Sequence, residues 1–90
     1  MDLGLEGRVA VITGGSEGIG KGTAMSMAAE GAGVVICARR ADVLEQTADE
    51  IRQATGARVT AVAADVSQPD QIAAVFRAAI DEHGRVDILV

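Results

Sequence analysis

Along this chain short apolar runs alternate with longer stretches in which apolar residues recur every three or four positions. Residues 8–12 contain Val9-Ala10-Val11-Ile12, a run too short for a buried helix and consistent with a strand covered on both faces. Residues 18–30 read as a helix built largely of small residues and stopped by Gly31. Residues 33–38 hold Val34-Val35-Ile36-Cys37, a second buried strand. Residues 42–55 place Leu44, Ala48, Ile51 and Thr55 on one helical face, with Gly56 as the C-terminal stop. Residues 58–64 predict a third strand. Ser67 then reads as an N-cap, with Pro69 in the first turn and Asp70 three residues after the serine. The helix that follows carries Ile72, Val75, Phe76, Ala79, Ile80 and His83 on one stripe and ends at Gly84. Residues 86–90, Val-Asp-Ile-Leu-Val, begin a fourth strand.

The resulting order, βαβαβαβ, implies an α/β fold. Helix-length crossovers between apolar strands give a parallel sheet with right-handed connections and helices on its faces. No linker, repeat or low-complexity tract divides residues 1–90, so they form part of one domain. A chain ending inside an uncovered apolar strand is expected to be the N-terminal piece of something longer, because such an edge invites aggregation.

The first strand runs into Thr13-Gly14-Gly15-Ser16-Glu17-Gly18-Ile19-Gly20, and the first helix starts within it. A strand, a glycine turn and a helix in that order make an anion site. The first backbone N–H groups of the helix have no internal acceptor, and the helix dipole favours negative charge there. Glycines let a pyrophosphate approach the backbone closely. The spacing is Gly14-x-x-x-Gly18-x-Gly20 rather than G-x-G-x-x-G, so its weight comes from the surrounding strand–helix–strand context. A turn that merely packs a helix onto a sheet is the plainer alternative.

Thr13-Gly14-x-x-x-Gly18-x-Gly20 resembles the cofactor turn of the short-chain dehydrogenase/reductase family. The similarity continues through Ala38-Arg39-Arg40 at the end of the second strand, Asp65-Val66 after the third, and Val86-Asp87-Ile88-Leu89-Val90. It covers essentially the whole chain, with a weaker likeness to the 3-oxoacyl-carrier-protein reductase branch. The resemblance implies a Rossmann-like doubly wound parallel sheet with local order 3-2-1-4 and a dinucleotide in the crevice between strands one and four. It further implies that Gly14 allows the turn, that Gly18, Ile19 and Gly20 approach the pyrophosphate, with the Ile19 N–H as the direct donor, and that Ser16 lies near the adenosine ribose or its phosphate. Asp65 would lie near the adenine amine with the Val66 backbone beside it, and Thr13 would be a structural hydrogen bonder.

The end of the second strand bears on which nicotinamide cofactor is taken. An NAD(H) site places a carboxylate there for the ribose 2′-hydroxyl. Here Ala38 stands in that place and Arg39 and Arg40 follow, and a guanidinium suits a 2′-phosphate. NADP(H) is therefore expected, with NAD(H) as the alternative. Glu17 departs from the pattern, since many NADP(H)-preferring relatives have a basic residue just before the second motif glycine. Its carboxylate opposes a 2′-phosphate unless it turns to solvent or pairs with Arg39 or Arg40, and Lys21 is near enough in sequence to compensate.

Composition narrows the possibilities. With 49% hydrophobic residues the chain is globular, and its formal charge of −5 provides no basic footprint for nucleic acid. No apolar run approaches a membrane span, and the N-terminus has neither the basic start nor the apolar run of a signal peptide, so a cytoplasmic location is expected. The single cysteine, Cys37, cannot make an internal disulfide and reads as core. Met25 and Met27 read as packing, and Glu45, Asp49 and Glu50 as a solvated face. His83 has no companion ligands, so no metal site is expected, and its place at a helix C-terminus favours a cation.

The family's chemistry uses a tyrosine, a lysine four positions later and an upstream serine. This chain has no tyrosine, and its lysine, Lys21, belongs to the glycine turn. No residue here is assigned to catalysis. The resemblance thus implies the NADP(H)-binding portion of an oxidoreductase that interconverts a carbonyl and an alcohol, the parent being a homo-oligomer and the portion alone inactive. The rival readings are a non-catalytic nucleotide-binding module and an S-adenosylmethionine-dependent methyltransferase fragment. The latter class usually wants an acid where Ala38 stands.

Overall fold

In the computed structural model, which describes residues 5–14 and 18–90, the elements follow the expected order. They are β1 (Val9–Thr13), α1 (Gly18–Ala29), β2 (Gly33–Ala38), α2 (Ala41–Thr55), β3 (Val59–Ala63), α3 (Pro69–His83) and β4 (Ile88–Leu89). The strands form one parallel sheet in the order β3-β2-β1-β4, as the resemblance implied. Strand alternation explains why β1 and β2 are apolar throughout. Ala10, Ile12, Val34 and Ile36 face α1 and α2, where they meet Ala24, Ala28, Leu44, Ala48 and Ile51. Val9, Val11, Val35 and Cys37 face the other side, against Val75 and Ala79 of α3. Ile12 and Ile36 are fully buried, each contributing roughly 1.5–3 kcal/mol of transfer free energy.

Helix α1 buries only Ala24 and Ala28, whose short side chains let it lie close to the sheet. Helices α2 and α3 both stop at a left-handed glycine. Gly56 has φ +73° and donates to Arg52 O, and Gly84 has φ +82° and donates to Ile80 O. Left-handed backbone is the conformation that glycine alone adopts without strain.

Three expectations are corrected. The α3 stripe is only partly covered. Val75 and Ala79 are buried, but Ile72 and Ile80 are 37% and 50% exposed. The fourth strand is shorter than residues 86–90. It pairs only with β1, although Asp87 N–H to Val9 O and Val90 N–H to Val11 O continue the alignment at 2.9 Å on either side. His83 is not a favoured cation. Burial pushes its pKa below the usual histidine value, and the Arg58 charge pushes the same way. Its Nε2 lies 2.9 Å from Thr60 Oγ1, and a Cβ placed on Gly33 would come within 2.8 Å of its Nδ1.

The amino edge of the sheet is closed by polar contacts. Asp87 Oδ2 accepts from Val9 N–H at 2.9 Å and from Arg85 Nε at 2.8 Å, and its Oδ1 accepts from Arg85 NH2 at 2.7 Å. These bonds, Arg85's first, hold the Asp87 carboxyl below its ordinary range. Arg58 donates to Glu82 O at 2.6 Å, and Arg52 NH2 to Val59 O at 2.6 Å. The carboxyl edge is built differently.

Candidate cofactor site

At the carboxyl edge β1 passes into α1 through two left-handed glycines, Gly14 at φ +66° and Gly18 at φ +63°. Gly14 N–H donates to Cys37 O at 2.9 Å, which ties the turn to the end of β2. A Cβ on either glycine would meet none of the described atoms within 4 Å. Glycine is therefore required there by backbone conformation, and no described atom crowds either Cβ position. Gly18, Ile19 and Gly20 form the first turn of α1, where backbone N–H groups lack an intrahelical acceptor and the dipole is positive. The Ile19 side chain is 91% exposed.

Beside this turn lies a groove between the ends of β2 and β3. One part, about 200 Å³, is lined by Gly14, Cys37, Ala38, Arg39, Ala64, Asp65 and Val66. The adjoining part, about 280 Å³, is lined by Arg39, Ala63, Ala64, Asp65 and Gln71. The fold thus brings Gly14, Arg39, Asp65 and Val66 to one place from three strand ends. Arg40 does not line the groove. As the N-cap residue of α2 it turns to Asp42, 3.3 Å away, in an exposed and solvent-screened pair. Ser16 and Glu17 lie outside the described residues. Lys21 is committed to Glu50 across the α1–α2 interface, so its charge is not held in reserve for the glycine turn.

Asp65 is the most constrained polar residue of the groove. Its Oδ1 accepts from both Ser67 N–H, at 3.0 Å, and Ser67 Oγ–H, at 2.7 Å, while its own N–H donates to Gln71 Oε1 at 2.6 Å. The Ser67 hydroxyl, then the Ser67 amide, hold the carboxyl below its usual range, and the Arg39 charge adds to this. Ser67 is accordingly not the N-cap. That place belongs to Gln68, which makes no side-chain capping bond, while the serine hydroxyl donates to the carboxylate two residues back. The Asp-x-Ser spacing is the signature from which this turn could have been read. Gln71 carried no sequence signal at all.

Thr13 is a structural hydrogen bonder as expected, its Oγ1 donating to Val90 O at 3.0 Å. Cys37 is fully buried and burial pushes its thiol pKa up, as suits a core side chain. A larger depression, about 550 Å³, runs along α1 past Leu5, Ile19, Gly22, Ser26 and Met27. It offers no cation to a phosphate among the described residues. No group of three or more His, Cys, Asp or Glu able to hold a metal occurs among the described residues.

A parallel sheet in the order 3-2-1-4, with a glycine turn at the carboxyl end of β1, defines a Rossmann-like α/β protein. The chain belongs to the short-chain dehydrogenase family, whose family model, described as short chain dehydrogenase, matches residues 8–90. Among curated relatives, an uncharacterized oxidoreductase of Caenorhabditis elegans, F53C11.3, is 47% identical over 87 residues, covering 96% of this chain and 28% of the relative. A probable 2,4-dienoyl-CoA reductase 3 of the same organism is 42% identical over 90 residues, covering 99% of this chain and 29% of that protein. Among solved structures, L-sorbose reductase from Gluconobacter frateurii, complexed with NADPH and L-sorbose, superposes with a TM-score of 0.95 at 44% identity, over 99% of this chain and 34% of that one. A metagenomic short-chain oxidoreductase in complex with NADP gives 0.85 at 41% identity, over 94% and 38%. The chain spans about a third of the length of these proteins.

Proposed function

We propose that this chain is the NADP(H)-binding portion of a short-chain oxidoreductase that interconverts a carbonyl and an alcohol. The observation that carries the reading is the groove at the carboxyl edge, where the glycine turn, Arg39 and Asp65 converge and no acid ends β2. The residues present suit a phosphorylated dinucleotide. Gly14 and Gly18 put no side chain before the backbone, and in this reading the Ile19 N–H at the start of α1 takes the pyrophosphate. Arg39 takes the 2′-phosphate, and Asp65 with the Val66 backbone takes the adenine edge. Arg40, paired with Asp42 outside the groove, is given no direct contact with the cofactor. The two neighbours solved with NADPH and NADP support the same cofactor here.

When bound, the nicotinamide supplies or accepts the hydride. The residues of this chain bind and orient the adenosine half, and none of them moves the proton. The sequence has no tyrosine, and Lys21 is tied to Glu50. We therefore assign proton transfer and substrate selection to the part of the longer parent that this chain does not include. The parent is a homo-oligomer in this reading.

Calorimetric titration with NADP(H), NAD(H) and S-adenosylmethionine tests the assignment. NADP(H) is expected to bind at least tenfold more tightly than NAD(H). Equal affinities would remove the 2′-phosphate role of Arg39, and binding of S-adenosylmethionine without dinucleotide binding would overturn the proposal.

A further inference from the structure

We propose that Ser67 and Gln71 are positioning residues that set the base selectivity of the groove through Asp65. The inference rests on the reading of Asp65 as the acceptor for the adenine amine. A carboxylate on a loop normally samples several rotamers, and an acceptor that must first be ordered loses part of its binding free energy. Here both degrees of freedom are removed beforehand. Ser67 holds Asp65 Oδ1 with two hydrogen bonds, 2.7 and 3.0 Å long, which fixes the side-chain torsions and leaves Oδ2 to accept from a ligand. Gln71, one turn into α3, holds the Asp65 N–H at 2.6 Å and so fixes the backbone from the other side. Gln71 also lines the groove with Arg39 and Asp65, so the element that clamps the loop belongs to the wall of the site. Neither Ser67 nor Gln71 is asked to touch the base. Their effect is to hold an acceptor-only oxygen where a 6-amino donor would meet it.

The consequence is discrimination between adenine and hypoxanthine. Hypoxanthine carries a carbonyl oxygen where adenine carries the amine, so a fixed carboxylate would face an acceptor instead of a donor. With one charge-assisted hydrogen bond at stake, the preference for NADPH over its hypoxanthine analogue should be roughly tenfold or more. The experiment titrates both cofactors into the protein and into Asp65→Asn, Ser67→Ala, Ser67→Thr and Gln71→Leu. Asp65→Asn, Ser67→Ala and Gln71→Leu should each bring the ratio close to one by weakening NADPH while leaving the hypoxanthine analogue bound about as before. Retained binding of that analogue also shows that the variant is folded. Ser67→Thr, which keeps the hydroxyl, should restore the ratio. If Ser67→Ala and Gln71→Leu weaken both cofactors equally or leave the ratio intact while Asp65→Asn abolishes it, the positioning role is overturned and the Asp65 assignment stands. If Asp65→Asn itself leaves the ratio unchanged, the Asp65 assignment fails and the inference falls with it.

Discussion

The two edges of the sheet are made from the same strands and are built for opposite ends. At the amino edge every strand start is tied to a neighbour. Asp87 joins Val9 and Arg85, His83 fills the space over Gly33 and meets Thr60, and Arg52 and Arg58 donate to carbonyls. At the carboxyl edge Gly14 and Gly18 meet no described atom at their Cβ positions, and Arg39 and Asp65 line a groove. Polar groups at the amino edge pair within the fold, whereas Arg39 and Asp65 at the carboxyl edge border a groove. The difference teaches that charge alone does not mark a site in this chain. Arg58 and Arg39 carry the same group, but Arg58 donates to Glu82 O while Arg39 lines the groove.

The sharpest way to break this contrast is to exchange stability effects for binding effects. Arg39→Ala should weaken NADP(H) by roughly ten- to a hundredfold, the value of a charge-assisted phosphate contact, while barely changing NAD(H) affinity or the thermal midpoint. Calorimetry and a melting curve on the same sample check both halves. Gly33→Ala should act in the opposite sense. The new methyl group drives His83 off Thr60, for a loss of about 1–3 kcal/mol in denaturant unfolding, with the ratio of NADP(H) to NAD(H) affinity unchanged. Gly14→Ala falls between the two classes. It puts a Cβ on a left-handed residue at a cost of about 1–2 kcal/mol in stability, and it places that Cβ at the turn, so cofactor affinity should fall as well.

The smallest effect is a pH dependence at the amino edge. His83 titrates below its ordinary value in the fold because partial burial disfavours the charged ring and the Arg58 charge adds to this, with Glu82 opposing. The unfolded chain therefore binds the extra proton more readily. The stabilisation is complete above about pH 6.5 and is lost as pH falls from there through the lower folded-state value. His83→Gln should flatten the stability curve in that window without touching the acid limb, where Asp65 and Asp87, both held below the usual carboxylate range, must be protonated.

Much of the fold was legible because β1 and β2 are buried on both faces, so their apolar runs have no competing explanation. The glycine stops of α2 and α3 were equally plain. Legibility ended where two local structures share the same residue types. Ser67 before Pro69 fits an N-cap and an Asp-x-Ser turn equally well, and only the nearby Asp65 carboxylate decides between them. Arg39 and Arg40 are indistinguishable in sequence. The helix that starts at Ala41 turns Arg40 toward Asp42 and leaves Arg39 in the groove. Gln71 was invisible because its role depends on one turn of α3 bringing it back onto the loop, a distance that no motif encodes.

The central claim, that the carboxyl edge and not the interlocked amino edge receives the dinucleotide, is tested most directly by following backbone amide resonances during titration with NADP(H). Amides of Gly14, Ile19, Arg39 and Val66 should shift together and saturate with one affinity, while those of Thr60, His83 and Asp87 stay in place. Shifts confined to the amino edge, or to Leu5 and Met27 along α1, would contradict it.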